Sequence, residues 1–146
     1  MRRIFMSAIV LIVFSMSVIL LQISCKKEAK AQPTTPTIQG LWIGTYKVDG
    51  QADLGEQYFS LIIKPDGTMI ADTKGQNLQH LAPGTWSLTG TALTCTFTCV
   101  YGLPSNIGIK EISNATWDKT GKLTGTWKND PVTPEGSGTI TLTKVN

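Results

Sequence analysis

Histidine and arginine are scarce in this chain, and their scarcity excludes several classes of site. The 146 residues contain one histidine, His80, and the only arginines are Arg2 and Arg3. A metal site needs a cluster of histidine, cysteine or carboxylate ligands, and nucleophilic catalysis needs a base placed beside the nucleophile. The sequence offers neither arrangement, and His80 is interpreted as a surface histidine or one at the mouth of the fold. We therefore predict no enzymatic activity, no metal and no cofactor.

The positive charge of the chain is confined to its beginning. The formal net charge is +3, yet residues 38–146 hold eight lysines and no arginine against nine aspartates and glutamates, a balance of −1. Proteins that bind nucleic acid carry clustered lysine and arginine on one face. No such stripe is present, so a nucleic-acid partner is not expected.

The first 25 residues have the organisation of a bacterial export signal. Met1, Arg2 and Arg3 are followed by an almost wholly apolar run over residues 4–21, and Cys25 comes four residues later. The segment 21–25 (Leu-Gln-Ile-Ser-Cys) resembles the lipobox of bacterial lipoproteins, although leucine stands one place earlier than is usual. The alternative is an uncleaved anchor helix, since about 20 apolar residues span a bilayer.

The lipoprotein resemblance implies a division of the chain. Residues 1–24 are then a helical signal peptide, Cys25 is the lipidated (palmitoylated) residue, and residues 25–37 form a flexible tether rich in proline, threonine and lysine. The predicted location is the bacterial cell envelope, attached by the lipid to the outer membrane rather than the inner one, with the domain outside the cytoplasm. We expect a monomer whose membrane contact is this lipid.

Residues 38–146 consist of alternating runs separated by turns, and no helical period extends over ten residues. Such runs predict strands. Eight are expected, over residues 40–48, 57–64, 68–74, 81–89, 92–101, 107–118, 122–129 and 138–145. Eight antiparallel strands in about 110 residues most simply form an up-and-down barrel, because closure removes exposed edges. A two-sheet sandwich is the alternative fold.

The motif Gly-x-Trp occurs three times, with its tryptophans at Trp42, Trp86 and Trp127. The first copy opens the first strand, a turn over residues 65–67 follows the second strand, and Lys144 lies in the last. This pattern resembles the lipocalin-like barrels. The resemblance implies that Trp42 packs at the closed end with Lys144 over its indole, and that the barrel holds a small hydrophobic ligand.

The segment 123–130 is similar to the opening strand of the avidins. Here it is the seventh strand, so biotin binding is not carried over. The shared feature is attributed to barrel geometry, in which glycine allows two backbones to approach while the indole fills the interior.

Strand alternation predicts which side chains point inward. The interior is expected to be apolar and aromatic, and it includes Cys95, Cys99 and Ile107. Cys95 and Cys99 are too far apart along one extended strand to form a disulfide, so two free thiols are predicted. The candidate ligand-lining residues are Trp42, Tyr46, Phe59, Leu61, Trp86, Phe97, Tyr101, Glu111 and Trp127. Glu111 has two interpretations, one as the group that fixes a polar head inside and the other as a rim residue that faces water.

Two functions remain open at this stage. The barrel either binds a small hydrophobic molecule, or has a filled core and contacts other proteins through its loops as an inhibitor or assembly component. A connected cavity of about 300 Å³ or more favours binding. The mouth is expected at the end away from Trp42, with the loop over residues 51–57 as its lid and Ala52 and Leu54 as the apolar lip.

Overall fold

The computed structural model describes residues 37–75, 78–130 and 136–145. The predicted signal peptide, Cys25 as the predicted lipidation site, and the predicted tether up to residue 36 lie outside the described residues. Nowhere in the described ranges is there a helix with the length and hydrophobicity needed to cross a membrane.

Within these ranges the chain forms eight antiparallel strands. They are β1 (Gly40–Val48), β2 (Gln57–Ile63), β3 (Thr68–Gly75), β4 (Leu78–Thr89), β5 (Ala92–Thr98), β6 (Lys110–Trp117), β7 (Lys122–Asp130) and β8 (Ser137–Lys144). Each strand pairs with the next in sequence, and β8 pairs with β1 to close the barrel. The barrel prediction is confirmed, and the two-sheet sandwich is excluded.

Side chains alternate along each strand between the interior of the barrel and its outer surface. Along β8 the exposed threonines alternate with buried Ile140 and Leu142. On the outer wall Thr124 pairs with Thr141, and Thr126 pairs with Thr139. β-branched residues suit this position because they pack well on a pleated surface.

Two aspartates hold the hairpin turns at the closed end. Asp118 accepts hydrogen bonds from the backbone amides of Thr120, Gly121 and Lys122 at 2.7 to 2.9 Å. Asp66 accepts from the amide and hydroxyl of Thr68 in the same manner. These bonds stabilise the charged carboxylate, so the pKa of Asp118 lies well below its ordinary value, chiefly through the Thr120 hydroxyl.

Trp42 plugs the closed end of the barrel. It is fully buried, and its Nε1 donates to the carbonyl oxygen of Ile38 at 2.8 Å. The Lys144 Nζ lies 5.9 Å from the centre of the Trp42 ring and also donates to the Thr37 carbonyl. A cation within about 6 Å of an indole face is attracted to it. The predicted approach of Lys144 to Trp42 is therefore confirmed.

The glycines of the second and third motifs stand where two strands come very close. A Cβ added at Gly84 would lie 2.1 Å from the Thr96 carbonyl oxygen, and one at Gly125 would lie 2.0 Å from that of Asn114. No side chain fits at such distances. The prediction that glycine allows two backbones to approach closely is therefore confirmed for these two copies of the motif. Gly40 of the first motif differs, because no backbone atom of a neighbouring strand lies close to an added Cβ. A side chain there is disfavoured by the φ of +130° and by the nearby Lys144 side chain.

The predicted inward direction of Tyr101 and Ile107 is wrong. Tyr101 is 58% exposed and Ile107 is 53% exposed. The amides of both Val100 and Tyr101 donate to the carbonyl of Leu81. Two residues therefore oppose one, as in a β-bulge, and the phase of alternation shifts. Strand β5 ends at Thr98 instead of continuing to residue 101, and β6 begins at Lys110 instead of at 107.

The two described cysteines are free and buried, as predicted. Cys95 points into the core, where burial raises the pKa of its thiol to about 12. Burial also raises the pKa of Cys99. A thiol needs its thiolate form to react, so neither group is expected to be an active nucleophile.

Candidate ligand-binding cavity

The interior of the barrel has two different halves. In the closed half, side chains that include Leu61, Leu93, Leu123 and Leu142 leave a gap too small for a water molecule. Their close packing continues to Trp42. This half is a filled core, and it forms the bottom of the cavity in the other half.

The open half contains a cavity of about 370 Å³. It lies at the end where β1 joins β2, β3 joins β4, β5 joins β6 and β7 joins β8, the end away from Trp42 as predicted. The lining residues are Tyr46, Val48, Gln51, Leu54, Gln57, Phe59, Thr73, Gly75, His80, Phe97, Cys99, Leu103, Asn106, Ile109, Glu111, Ser113, Trp127, Asn129, Gly136 and Ile140.

Four aromatic side chains form a connected wall. Tyr46 meets Phe59 and Trp127 edge to face, with ring centres 6.4 and 5.9 Å apart. Phe59 and Phe97 are 6.5 Å apart and tilted. Such pairs stabilise one another beyond their buried area, so the wall has a defined shape.

Small residues and backbone groups hold two of these rings. The Trp127 Nε1 donates to the carbonyl oxygen of Lys47 at 3.0 Å, and Gly138 leaves room for the indole. A Cβ at Gly75 would lie 2.4 Å from the Tyr46 hydroxyl oxygen. Glycine at these two positions therefore allows both aromatic groups to enter the cavity.

Glu111 is the acid of the site, and its side chain is partly buried. It lies on β6 beside Phe97 of β5 and Asn129 of β7. Burial raises the pKa of its carboxyl group to about 7. In the described part of the chain, no hydrogen bond or ion pair to the Glu111 carboxyl group is formed. The Glu111 side chain stays partly exposed, whereas Ser113 on the same strand is buried, so Glu111 lies between its two interpretations.

Ser113 is the next inward residue of β6, two places after Glu111. It is 4% exposed, and its Oγ has no hydrogen-bond partner in the described structure. Buried hydroxyl groups are almost always hydrogen-bonded. An unpartnered hydroxyl that lines a cavity indicates a place where a bound molecule supplies the missing partner.

The charge of Glu111 affects the pKa of two other titratable groups of the cavity. Burial raises the pKa of Tyr46, and the charge of Glu111 raises it further. The same two causes raise the pKa of Cys99. Both groups are neutral near pH 7, so neither supplies a positive charge to the carboxylate.

The rim is built from the predicted lid loop and the loop opposite. Ala52–Leu54 forms a single 3-10 turn, and Leu54 lines the cavity while Gln57 Nε2 donates to its carbonyl oxygen. Glu56 anchors the loop through an ion pair with Lys47 at 3.1 Å.

Across the mouth, the Asn106 amide nitrogen lies 3.2 Å from His80 Nε2. His80 lines the cavity at its rim, as one of its two interpretations predicted.

The structure brings together five of the nine sequence-based candidates. Tyr46, Phe59, Phe97, Glu111 and Trp127 line the cavity. Trp42, Leu61 and Trp86 belong to the core or pack against it but do not reach the cavity. They were predicted to line it because alternation shows which face of the sheet a side chain is on, but not its position along the barrel axis. Tyr101 lies outside.

Ser113 was missed, although alternation counted from Glu111 would have included it. Asn106 and Leu103 come from a loop, where no periodic signal applies.

In the described part of the chain, histidine, cysteine, aspartate and glutamate side chains do not gather into a group of three that could hold a metal ion.

Comparison with protein-family models, with curated proteins and with solved structures finds no match to this chain.

Proposed function

We propose that this protein is a lipid-anchored barrel of the bacterial cell envelope that binds a small, largely apolar molecule in the open half of its interior. The observation that carries the proposal is the cavity of about 370 Å³ with its aromatic wall. Binding sites for small molecules are concave, mostly apolar and about 300 Å³ or larger, with a few polar groups that orient the ligand. Glu111 and Ser113 are two of the polar groups in the lining, which also includes Gln51, Gln57 and His80.

The position of the chain entry supports the anchored arrangement. Thr37 and Ile38 lie at the closed end, next to Lys144 and Trp42. The tether proposed for residues 25–37 therefore joins the barrel at the end opposite the mouth. In this proposal a signal helix over residues 1–24 is removed, the lipid is carried on Cys25, and the lipocalin-like barrel binds as a monomer.

A titration with a neutral fluorescent probe tests binding. We expect N-phenylnaphthylamine to bind the purified full chain saturably with one molecule per barrel. Thr73 lines the cavity, so Thr73→Phe places a ring inside it and should weaken binding at least about tenfold, a loss of 1.4 kcal/mol.

Thr126→Phe is the matched control for this substitution. Thr126 lies on β7 with its side chain exposed, so the same change there should leave the affinity unaltered. Equal weakening by both variants, or no saturable binding to the unmodified chain, would remove the support for a binding cavity.

Protein contact is the second candidate function, and one feature of the outer wall favours it. Leu41, Ile43, Tyr58 and Ile62 are each more than a third exposed on β1 and β2, and Leu41 pairs directly with Ile62. Contiguous apolar surface often marks an interaction site. This function becomes the better account if the probe fails to bind the cavity.

A further inference from the structure

The charge of the cavity indicates the class of molecule that it takes. We infer that the ligand is a small organic cation, an ammonium group on an apolar body, with the cation beside Glu111 and Ser113 and the body against the aromatic wall. The inference rests on the proposed function, because it assigns a ligand class to the same cavity.

Among the described residues that line the cavity, Glu111 is the only aspartate, glutamate, lysine or arginine. The lysine next to it in sequence, Lys110, belongs to the outer surface and pairs with Asp130 at 3.1 Å. An ionised carboxylate taken from water without a partner is costly. A cationic ligand would supply that partner, and no described side chain does so.

The hydroxyl of Ser113 adds a second and independent requirement. Its Oγ is buried without a partner, and inward neighbours on one strand are about 7 Å apart. An ammonium group has several N–H donors and can therefore approach the carboxylate and donate to Ser113 Oγ. A purely hydrocarbon ligand would leave both groups unsatisfied.

The aromatic wall suits a positive charge as well as an apolar body. Phe97 is the direct cross-strand neighbour of Glu111, and Tyr46 is close enough for its pKa to be raised by the charge of that carboxylate. The faces of aromatic rings attract organic cations. Carboxylate and rings thus favour the same ligand charge.

An anionic ligand is disfavoured by the same groups. The titratable groups that face Glu111 are Tyr46 and Cys99, with His80 at the rim. Tyrosine and cysteine carry no positive charge in any protonation state. A bound carboxylate would therefore lie beside Glu111 without a neutralising lysine or arginine from the described cavity lining.

Three probes of nearly equal size test the inference by calorimetry on the purified full chain: benzylamine, benzyl alcohol and benzoate. At about pH 8, above the pKa of about 7 for Glu111, benzylamine should bind at least about tenfold more tightly than benzyl alcohol. Benzoate should bind most weakly. Lowering the pH to about 5 protonates Glu111, and the preference for the amine should shrink.

Three variants locate the effect. Glu111→Gln should abolish the preference of the amine over the alcohol, while Ser113→Ala should weaken amine binding several-fold but keep the preference. Asp66→Asn, which alters an exposed carboxylate in the turn at the closed end and outside the cavity lining, should change none of the three affinities.

The outcomes separate this inference from the function on which it rests. If the three probes bind equally, if benzoate binds best, or if Glu111→Gln retains the amine preference, the ligand class is wrong while the binding cavity stands. If none of the three binds saturably and N-phenylnaphthylamine also fails to bind, the proposed function and the inference are both overturned.

Discussion

Replacing Gly125 with alanine is expected to destabilise the barrel strongly. The added Cβ would lie 2.0 Å from the Asn114 carbonyl oxygen and 2.5 Å from the Ala115 Cα, both backbone atoms of the neighbouring strand β6. Backbone atoms in a closed barrel cannot move aside as a flexible side chain can. Overpacking costs typically 1 to 3 kcal/mol and occasionally more, and we expect about 3 kcal/mol or more here.

Thermal unfolding measures this loss, and Gly90→Ala is the matched control. Gly90 has a φ of +65° in a hairpin turn, and nothing lies within 4 Å of the added Cβ. Its cost is backbone strain alone, about 1 to 2 kcal/mol. The account is contradicted if Gly125→Ala melts at the same temperature as Gly90→Ala or above it.

The second large effect is a gain in stability at neutral and higher pH when Glu111 becomes glutamine. In the folded barrel burial raises the pKa of Glu111 from 4.5 to about 7. The native state therefore holds a proton that the unfolded chain releases. Stability must fall as the pH rises from about 4.5 to about 7, and it stays lowered above that range. The penalty at about pH 8 is about 3 kcal/mol, since one pKa unit equals about 1.36 kcal/mol.

Melting curves from about pH 4 to pH 8 test this penalty. Glu111→Gln should match the unmodified chain near pH 4 and melt roughly 10 to 20 °C higher near pH 8, at about 4 to 8 °C per kcal/mol.

Glu56→Gln is the control, because the pKa of Glu56 is shifted in the opposite direction from that of Glu111. The Lys47 side chain, through hydrogen bonding above all, lowers the pKa of the Glu56 carboxyl group. Removing that charge should lower the stability slightly at pH 8 or leave it unchanged. A parallel response of the two variants across the pH range would refute the burial of an unpartnered Glu111.

The fold could be predicted from the sequence because its signals are local and mutually consistent. Alternation defined the eight strands, and the aspartate and glycine residues marked the turns. The closed end followed from the position of Trp42 and Lys144, which the structure places in contact. Little long-range information was needed, because every strand pair except the closing pair of β1 with β8 joins sequence neighbours.

The candidate site was predicted less completely, for two physical reasons. Alternation does not give height along the barrel, so Trp42 and Leu61 were grouped with residues that reach the cavity. It also fails at a bulge, where two amides share the Leu81 carbonyl and Tyr101 turns outward. Whether the interior is filled depends on how side chains from all strands meet, which a one-dimensional pattern does not contain.

The indole N–H resonances of the tryptophans offer the most direct measurement of the central claim that the open half is a binding site. Trp127 lines the cavity, whereas Trp42 lies in the closed half and Trp86 lies beside the closed-end turn, with its Nε1 donating to the Lys64 carbonyl. In a nuclear magnetic resonance titration with N-phenylnaphthylamine, assigned through Trp→Phe variants, the Trp127 signal should shift saturably. The signals of Trp42, Trp86 and Trp117, which do not line the cavity, should stay in place. A Trp127 signal that does not move, or equal shifts of all four signals, would contradict the account.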